Sequence, residues 1–382
     1  AYGTPNNLAI YKGTAAGEIT YKSNDRAYYA YGLQNQTDLD FTTNFLNKKI
    51  DHDLKVGFKF HYDKSNRDQY THDYNQAIGG VLTPGDTEFN ADRNQITKGA
   101  AVYFEESATI NNFVISFGSR FEAIKQTYRS GATTSDSERT YAFVPGGGLT
   151  YNHDKNWQWY GAVYKGFSMP SPSASRDDGT PINPEKSLAK EIGVRYSDDN
   201  LSVSAIGFHT NFKDVIVLDN SNTGASADNA GKVVSKGLEI MTAYLIPDDF
   251  VPFKGDTTLY ANYTFTNANL DGDSTSTDSE SIFAYGLDGA NVPYIPEHVF
   301  SGGIDYELGN FSFGINVTHH SETYGTASET ETEVSGSTAD ARAGRIDSAT
   351  LLNLRAGYKI TDNYRITAGV NNATDLEYIS SR

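Results

Sequence analysis

Residues 348–371 hold the pattern that most restricts what this chain can fold into. Two runs of strict alternation flank a turn at Thr361-Asp362-Asn363. In the second run Tyr364, Ile366, Ala368 and Val370 share one face, and Arg365, Thr367, Gly369 and Asn371 share the other. The first run sets Thr350, Leu352, Leu354, Ala356, Tyr358 and Ile360 against Asn353, Arg355, Gly357 and Lys359. Side chains alternate with period two along a strand, so the pattern specifies a hairpin with one apolar face and one polar, arginine-bearing face. A soluble sandwich accommodates one such hairpin. A long series of them points to an antiparallel membrane barrel, apolar outside and wet inside.

The series is present. The alternation rule predicts strands near 26–46, 53–64, 94–107, 111–128, 139–152, 156–167, 187–197, 200–212, 235–246, 256–268, 297–308, 310–321, 348–360 and 363–372, with a further one over 8–21. Short connections near 47–52, 108–110, 153–155, 198–199, 247–255, 309 and 361–363 alternate with long ones near 65–93, 129–138, 168–186, 213–234, 269–296 and 322–347. An up-and-down barrel of the outer membrane has this asymmetry, with short turns inside and long loops outside. The fold class expected is therefore an all-β transmembrane up-and-down β-barrel.

Composition agrees. The chain is 38% hydrophobic, and no stretch reaches the apolar length of about 18 residues that a spanning helix needs. A barrel hides its membrane signal, because only alternate residues meet lipid. Tyr (26) and Phe (20) are abundant, as suits strands and membrane interfaces. With no cysteine, disulfides and thiolate metal sites are excluded. The net charge of −17 argues against nucleic acid as a partner. Much of the acid lies in connections, for example Asp271, Asp273, Asp278 and Glu280, which reads as loop solubility or as a cation-attracting vestibule. Ala1–Asn7 lacks the basic and apolar regions of a secretory signal. A closed barrel has no open edge, yet no strand follows Asp375-Leu376-Glu377-Tyr378, so the sequence reads as part of a longer polypeptide.

Several stretches then resemble, in order, the barrel of TonB-dependent outer-membrane receptors. Tyr164–Ser171 is similar to the family's Gly-Phe-x-x-Pro segment, and Pro184-Glu185-Lys186-Ser187 with Glu191-Ile192-Gly193 and Arg195-Tyr196 to its next strand. Lys236-Gly237-Leu238-Glu239, Tyr294–His298 and Asn371–Tyr378 resemble later strand starts and the penultimate segment. The resemblance implies a barrel of about 22 strands around an N-terminal plug. Residues 1–382 would be a partial barrel domain, with about 14–15 strands and without the plug. It also implies uptake of a scarce nutrient driven through the TonB system, most like receptors for ferric siderophores and ferric dicitrate. Another cargo (cobalamin, an oligosaccharide, another metal complex) and a passive porin are the alternatives. The implied partners are an iron chelate, the TonB system acting through the plug, and outer-membrane lipid.

Two groups of residues suit an anionic chelate. Alternation turns Arg120, Arg195, Arg355 and Arg365 inward, where guanidinium can bind carboxylate bidentately; the plainer reading is pairing with acids of the plug or with Glu191 and Glu239. Arg67, Tyr70, His72 and Tyr74 on the first long connection, His319, His320 and Tyr324 at the outer end of another strand, and Arg342 and Arg345 in the last long connection suit a mouth that recognises a charged chelate; the plainer reading is interfacial anchoring. Adjacent His319 and His320 would point to opposite faces and chelate a metal poorly, so no metal site or cofactor is expected. Trp157, Trp159 and Tyr160 beside a short turn read as an aromatic girdle. Gly146-Gly147-Gly148 reads as close backbone approach in the wall. Neither a Gly-x-Ser-x-Gly nor a His-Glu-x-x-His motif occurs, so no enzyme is expected.

Overall fold

The computed structural model describes residues 5–131, 133–136, 139–172, 181–218, 227–247, 254–276, 281–329 and 344–380. Its fourteen wall strands are β1 (Gly17–Phe45), β2 (Lys48–Gln76), β3 (Leu82–Ile110), β4 (Phe113–Ser130), β5 (Thr140–Asn152), β6 (Trp157–Ser168) and β7 (Glu185–Ser197), followed by β8 (Leu201–Lys213), β9 (Lys232–Ile246), β10 (Asp256–Leu270), β11 (His298–Leu308), β12 (Phe311–His320), β13 (Ala349–Thr361) and β14 (Tyr364–Val370). Each strand pairs with the next in the chain, as a meander requires, and the described contacts leave β1 and β14 as the two edges of the sheet. A short strand, Thr133–Asp136, folds back on β4.

Every strand expected after residue 26 is found. The region before it differs: Pro5–Tyr11 is a short helix, and β1 starts at Gly17. The connection expected over 65–93 is strand for nearly all its length. β1, β2 and β3 each run 29 residues, and only 77–81 join β2 to β3. Both faces are polar there, and the β2–β3 register shifts between Gln69 and Tyr70 and between His72 and Tyr74, so apolar alternation carries no strand signal above the membrane. The last turn is also tighter than its sequence implied, with Asp362 and Asn363 alone between the strands.

The apolar face of the sheet is bare. Phe60, Phe117, Phe143, Ile192, Ile304, Phe313 and Ile366 all lie on it and are exposed. Residues directly paired across strands share a face, which makes this face continuous from β1 to β14. Seven such side chains in water would forfeit most of their transfer energy, so the face is lipid-exposed and the opposite, polar face lines the interior. No described helix is long and apolar enough to span a membrane, which is silent about strands. What apolar core there is sits at the long-loop end, where Val217, Ala230, Val233, Leu270, Phe283 and Ala327 pack together above β8–β11.

The short turns at the other end are built alike. Asp154 Oδ1 accepts the backbone N–H of Asn156 and Trp157, each at 2.8 Å. Asp198 Oδ1 accepts those of Asn200 and Leu201 at 2.9 and 2.8 Å. A short acidic side chain that satisfies the turn's own amides is what fixes such a hairpin. Beside them Trp157 stacks on Trp159 with centroids 6.3 Å apart and meets Tyr196 at 4.8 Å, all outward, as a girdle should. Tyr160 departs from that expectation. It faces inward, directly opposite Gly193.

Candidate functional site

Inward arginines of the barrel body are each held by a partner. Arg120 donates to Glu122 and lies over the Tyr103 ring, its guanidinium carbon 5.5 Å from the centroid. Arg195 donates to Gln158 Oε1 at 3.0 Å and stacks 4.4 Å from the Tyr160 centroid. Arg355 pairs with Asp305, and Arg365 donates to Ser312 Oγ at 2.6 Å. The expected inward orientation holds for all four. Their partners are neighbours on the wall rather than Glu191, whose carboxylate instead accepts the Tyr164 hydroxyl at 2.5 Å.

The expected group on the first long connection does not form one cluster. All four residues lie on β2, where period two separates them: Arg67 is inward, whereas Tyr70, His72 and Tyr74 are outward. Outside, His72 stacks with Tyr21 at 6.0 Å and Tyr70 at 6.2 Å, and Tyr70 meets Phe89 at 5.1 Å. That is an aromatic strip on the outer surface, away from the lumen. His319 also faces outward, its Nδ1 2.8 Å from Thr350 Oγ1, while His320 turns inward against the Ser321 carbonyl. Tyr324 and Arg345 do come together, as cross-strand partners in a small hairpin at the mouth, where Arg345 meets Glu322 at 3.3 Å and Asp347 at 3.4 Å. Arg342 lies outside the described residues.

Arg67 has other company. It is directly opposite Arg26 on β1 and Arg93 on β3, so three guanidinium groups form one rung of the inward face. Like charges opposed across strands are destabilising. Arg67 donates to Asn24 Oδ1 at 2.9 and 2.6 Å and to Gln69 Oε1 at 3.2 Å; Arg26 reaches the Tyr28 hydroxyl at 3.3 Å. The buried Nε of Arg93 has no partner. Arginine ion pairs among the described residues involve Arg120, Arg129, Arg345 and Arg355, and none of these three. Burial first, then the charges of Arg93 and Arg26, press the Arg67 guanidinium below its ordinary value, though a guanidinium remains charged at any physiological pH. Sequence reasoning found Arg67 and missed Arg26 and Arg93. The sign was there: Asp25-Arg26, Arg67-Asp68 and Asp92-Arg93 are mirrored on three consecutive strands. On the opposite face the same register aligns Asp25, Asp68 and Asp92, the last paired with Arg129 at 3.0 Å.

An inward row of three cations without a carboxylate, above a polar channel wall, is suited to hold a multiply charged anion. Among the described residues no cluster of three metal-ligating side chains occurs. A family model described as TonB dependent receptor-like, beta-barrel, matches residues 2–373. The ferric-pyoverdine M114 receptor PbuA of Pseudomonas sp. (strain M114) is 23% identical over 265 residues, covering 67% of this chain and 29% of that protein. Among solved structures, the ferric citrate transporter FecA in its unliganded form superposes with a TM-score of 0.72 at 23% identity, covering 95% of this chain and 53% of that one. The siderophore receptor PiuA from Acinetobacter baumannii gives 0.70 at 16%, covering 97% and 55%. At such identities the structural likeness establishes the fold, and the chain spans about half the length of these structures.

Proposed function

The chain belongs to the TonB-dependent receptor-like β-barrel family, and on that premise we propose that the complete protein takes up an anionic iron chelate across the outer membrane. Barrels of this family lie in the outer membrane of Gram-negative bacteria, where the bare apolar band of the wall is at home. The observation that carries the reading is the Arg26–Arg67–Arg93 rung. Guanidinium groups bind carboxylates bidentately, and ferric complexes of polycarboxylates present several carboxylates at once. The names of FecA and PbuA, which refer to ferric citrate and ferric pyoverdine, support a ferric chelate as cargo. In this reading residues 1–382 form part of one barrel, a plug fills it, and TonB supplies the energy to displace the plug. The chelate is carried without chemical change.

Binding of ferric citrate and of a neutral ferric hydroxamate to the complete protein, measured by quenching of tryptophan fluorescence, tests this. Saturable binding of the anionic complex, at least tenfold tighter than that of the neutral one, is expected. Equal affinity for both would end the assignment of an anionic cargo.

A further inference from the structure

The lipid-facing surface of β6–β9 carries charge where a barrel wall should be apolar or neutral. Lys186, Lys213 and Lys232 are direct cross-strand partners and form one outward rung. Two rungs nearer the membrane centre, Lys190, His209 and Lys236 form another. No carboxylate occupies either rung. His209 Nδ1 is buried without a partner. Opposed like charges destabilise a sheet, so a rung of three lysines, with Lys190 and Lys236 flanking His209 two rungs below it, calls for an external anion.

Position says which kind. β7 has 13 residues from its short turn to Glu185. At about 3.3 Å per residue it rises roughly 43 Å along its axis. A tilt of about 40° leaves roughly 33 Å along the membrane normal. The Lys186 rung therefore stands at the outer rim of a hydrocarbon core about 30 Å thick, level with the headgroups of the outer leaflet.

Beside the lysines the wall opens. β5 and β6 pair from Gly146–Tyr164 to the short turn, and above that point the two strands separate. The opening is a groove of about 740 Å³, lined on its outward side by Tyr141, Phe143, Phe167 and Leu188, with Lys165, Lys186 and Lys213 along its rim. An apolar slot ending in lysines at headgroup level has the shape and charge of an acyl chain capped by phosphate. The outward upper ends of β10–β13 differ, with Asn267, Asn269, His298, His319 and Thr350 and no lysine.

We propose that the outward face of β6–β9 is a binding site for a phosphate-bearing lipid of the outer leaflet, its phosphates on the Lys186–Lys213–Lys232 rung and an acyl chain in the Phe143–Leu188 groove. The site is separate from the chelate site, on the other side of the wall.

The test uses the complete receptor in a neutral detergent, loaded with diphosphoryl lipid A or with phosphatidylcholine, and native mass spectrometry to count lipid retained after detergent exchange. Wild type is expected to keep lipid A and shed phosphatidylcholine. Lys186→Gln/Lys213→Gln/Lys232→Gln should lower lipid A retention at least fivefold. Lys48→Gln/Lys155→Gln/Lys254→Gln, the same charge change at the short-turn end, should leave it unchanged. Unaltered chelate binding by each variant confirms that it is folded. Equal retention by wild type and the rung variant, or equal retention of both lipids, overturns the proposal.

Discussion

The barrel body and the Arg26–Arg67–Arg93 rung at the mouth both turn arginines toward the lumen, and only the body supplies any of them with a carboxylate. In the body, Arg120 and Arg355 pair with the carboxylates of Glu122 and Asp305, and Arg195 and Arg365 are held by the neutral side chains of Gln158 and Ser312. At the mouth, Arg26, Arg67 and Arg93 face one another, and their polar partners are the neutral groups of Asn24, Gln69 and Tyr28. A paired cation has already spent its attraction on the wall, whereas an unpaired row raises the energy of the empty protein and lowers it when an anion arrives. Under the proposed function, the difference separates Arg120 and Arg355, which hold the barrel, from the rung of three, which is proposed to hold cargo.

The comparison fails most visibly if the mouth is altered without consequence. Charge-assisted hydrogen bonds contribute about 1.5–3 kcal/mol each. Arg67→Gln should therefore weaken ferric citrate binding by roughly ten- to a hundredfold. Arg67→Gln/Arg93→Gln should weaken it further, while thermal stability holds or rises as like-charge repulsion is relieved. Affinity within twofold of wild type for the double variant would remove the rung from the site.

Arg120→Gln is the converse. Glu122 is mostly shielded, with 15% of its side chain exposed, and it would lose its cation. Leaving such a group without its partner costs about 1–3 kcal/mol. The melting midpoint should fall and chelate affinity should change less than threefold; a tenfold loss of affinity would place Arg120 in the ligand set and dissolve the distinction. Arg120→Gln/Glu122→Gln should recover most of the stability, which tells a broken pair from a general disturbance.

How much of this was legible in the sequence follows from what period two does and does not encode. It predicts the wall strands from residue 26 onward and the inward facing of Arg120, Arg195, Arg355 and Arg365, because lipid forces apolar residues onto every second position. Above the membrane that constraint lapses. β1–β3 continue as strands of polar residues, so Tyr70, His72 and Tyr74 read as a loop beside Arg67 when they stand on the opposite face of the same strand. Register across strands is set by turns and partners far apart in sequence, which is why the rung of Arg26, Arg67 and Arg93 became visible only once β1, β2 and β3 were aligned. The lysine rungs of β7–β9 were hidden for the same reason.

The smallest effect expected falls at Gly193 and sharpens where body and mouth divide. Tyr160 lies across this glycine, so a Cβ added there would stand 2.4 Å from the ring. Real Cβ atoms do not approach so closely, and Gly193→Ala must push the ring aside. Arg195 stacks on that ring and would lose a cation–π contact of about 0.5–1 kcal/mol, keeping its hydrogen bond to Gln158. A melting midpoint lowered by no more than a few degrees, with unchanged chelate affinity, is the outcome expected if Arg195 serves the wall. Tyr160→Leu should reproduce it, since that change also removes the ring from the arginine. A loss of affinity in both variants would mean that the tyrosine aims Arg195 at the ligand, and the division between holding the barrel and holding cargo would then run between Arg195 and Arg120.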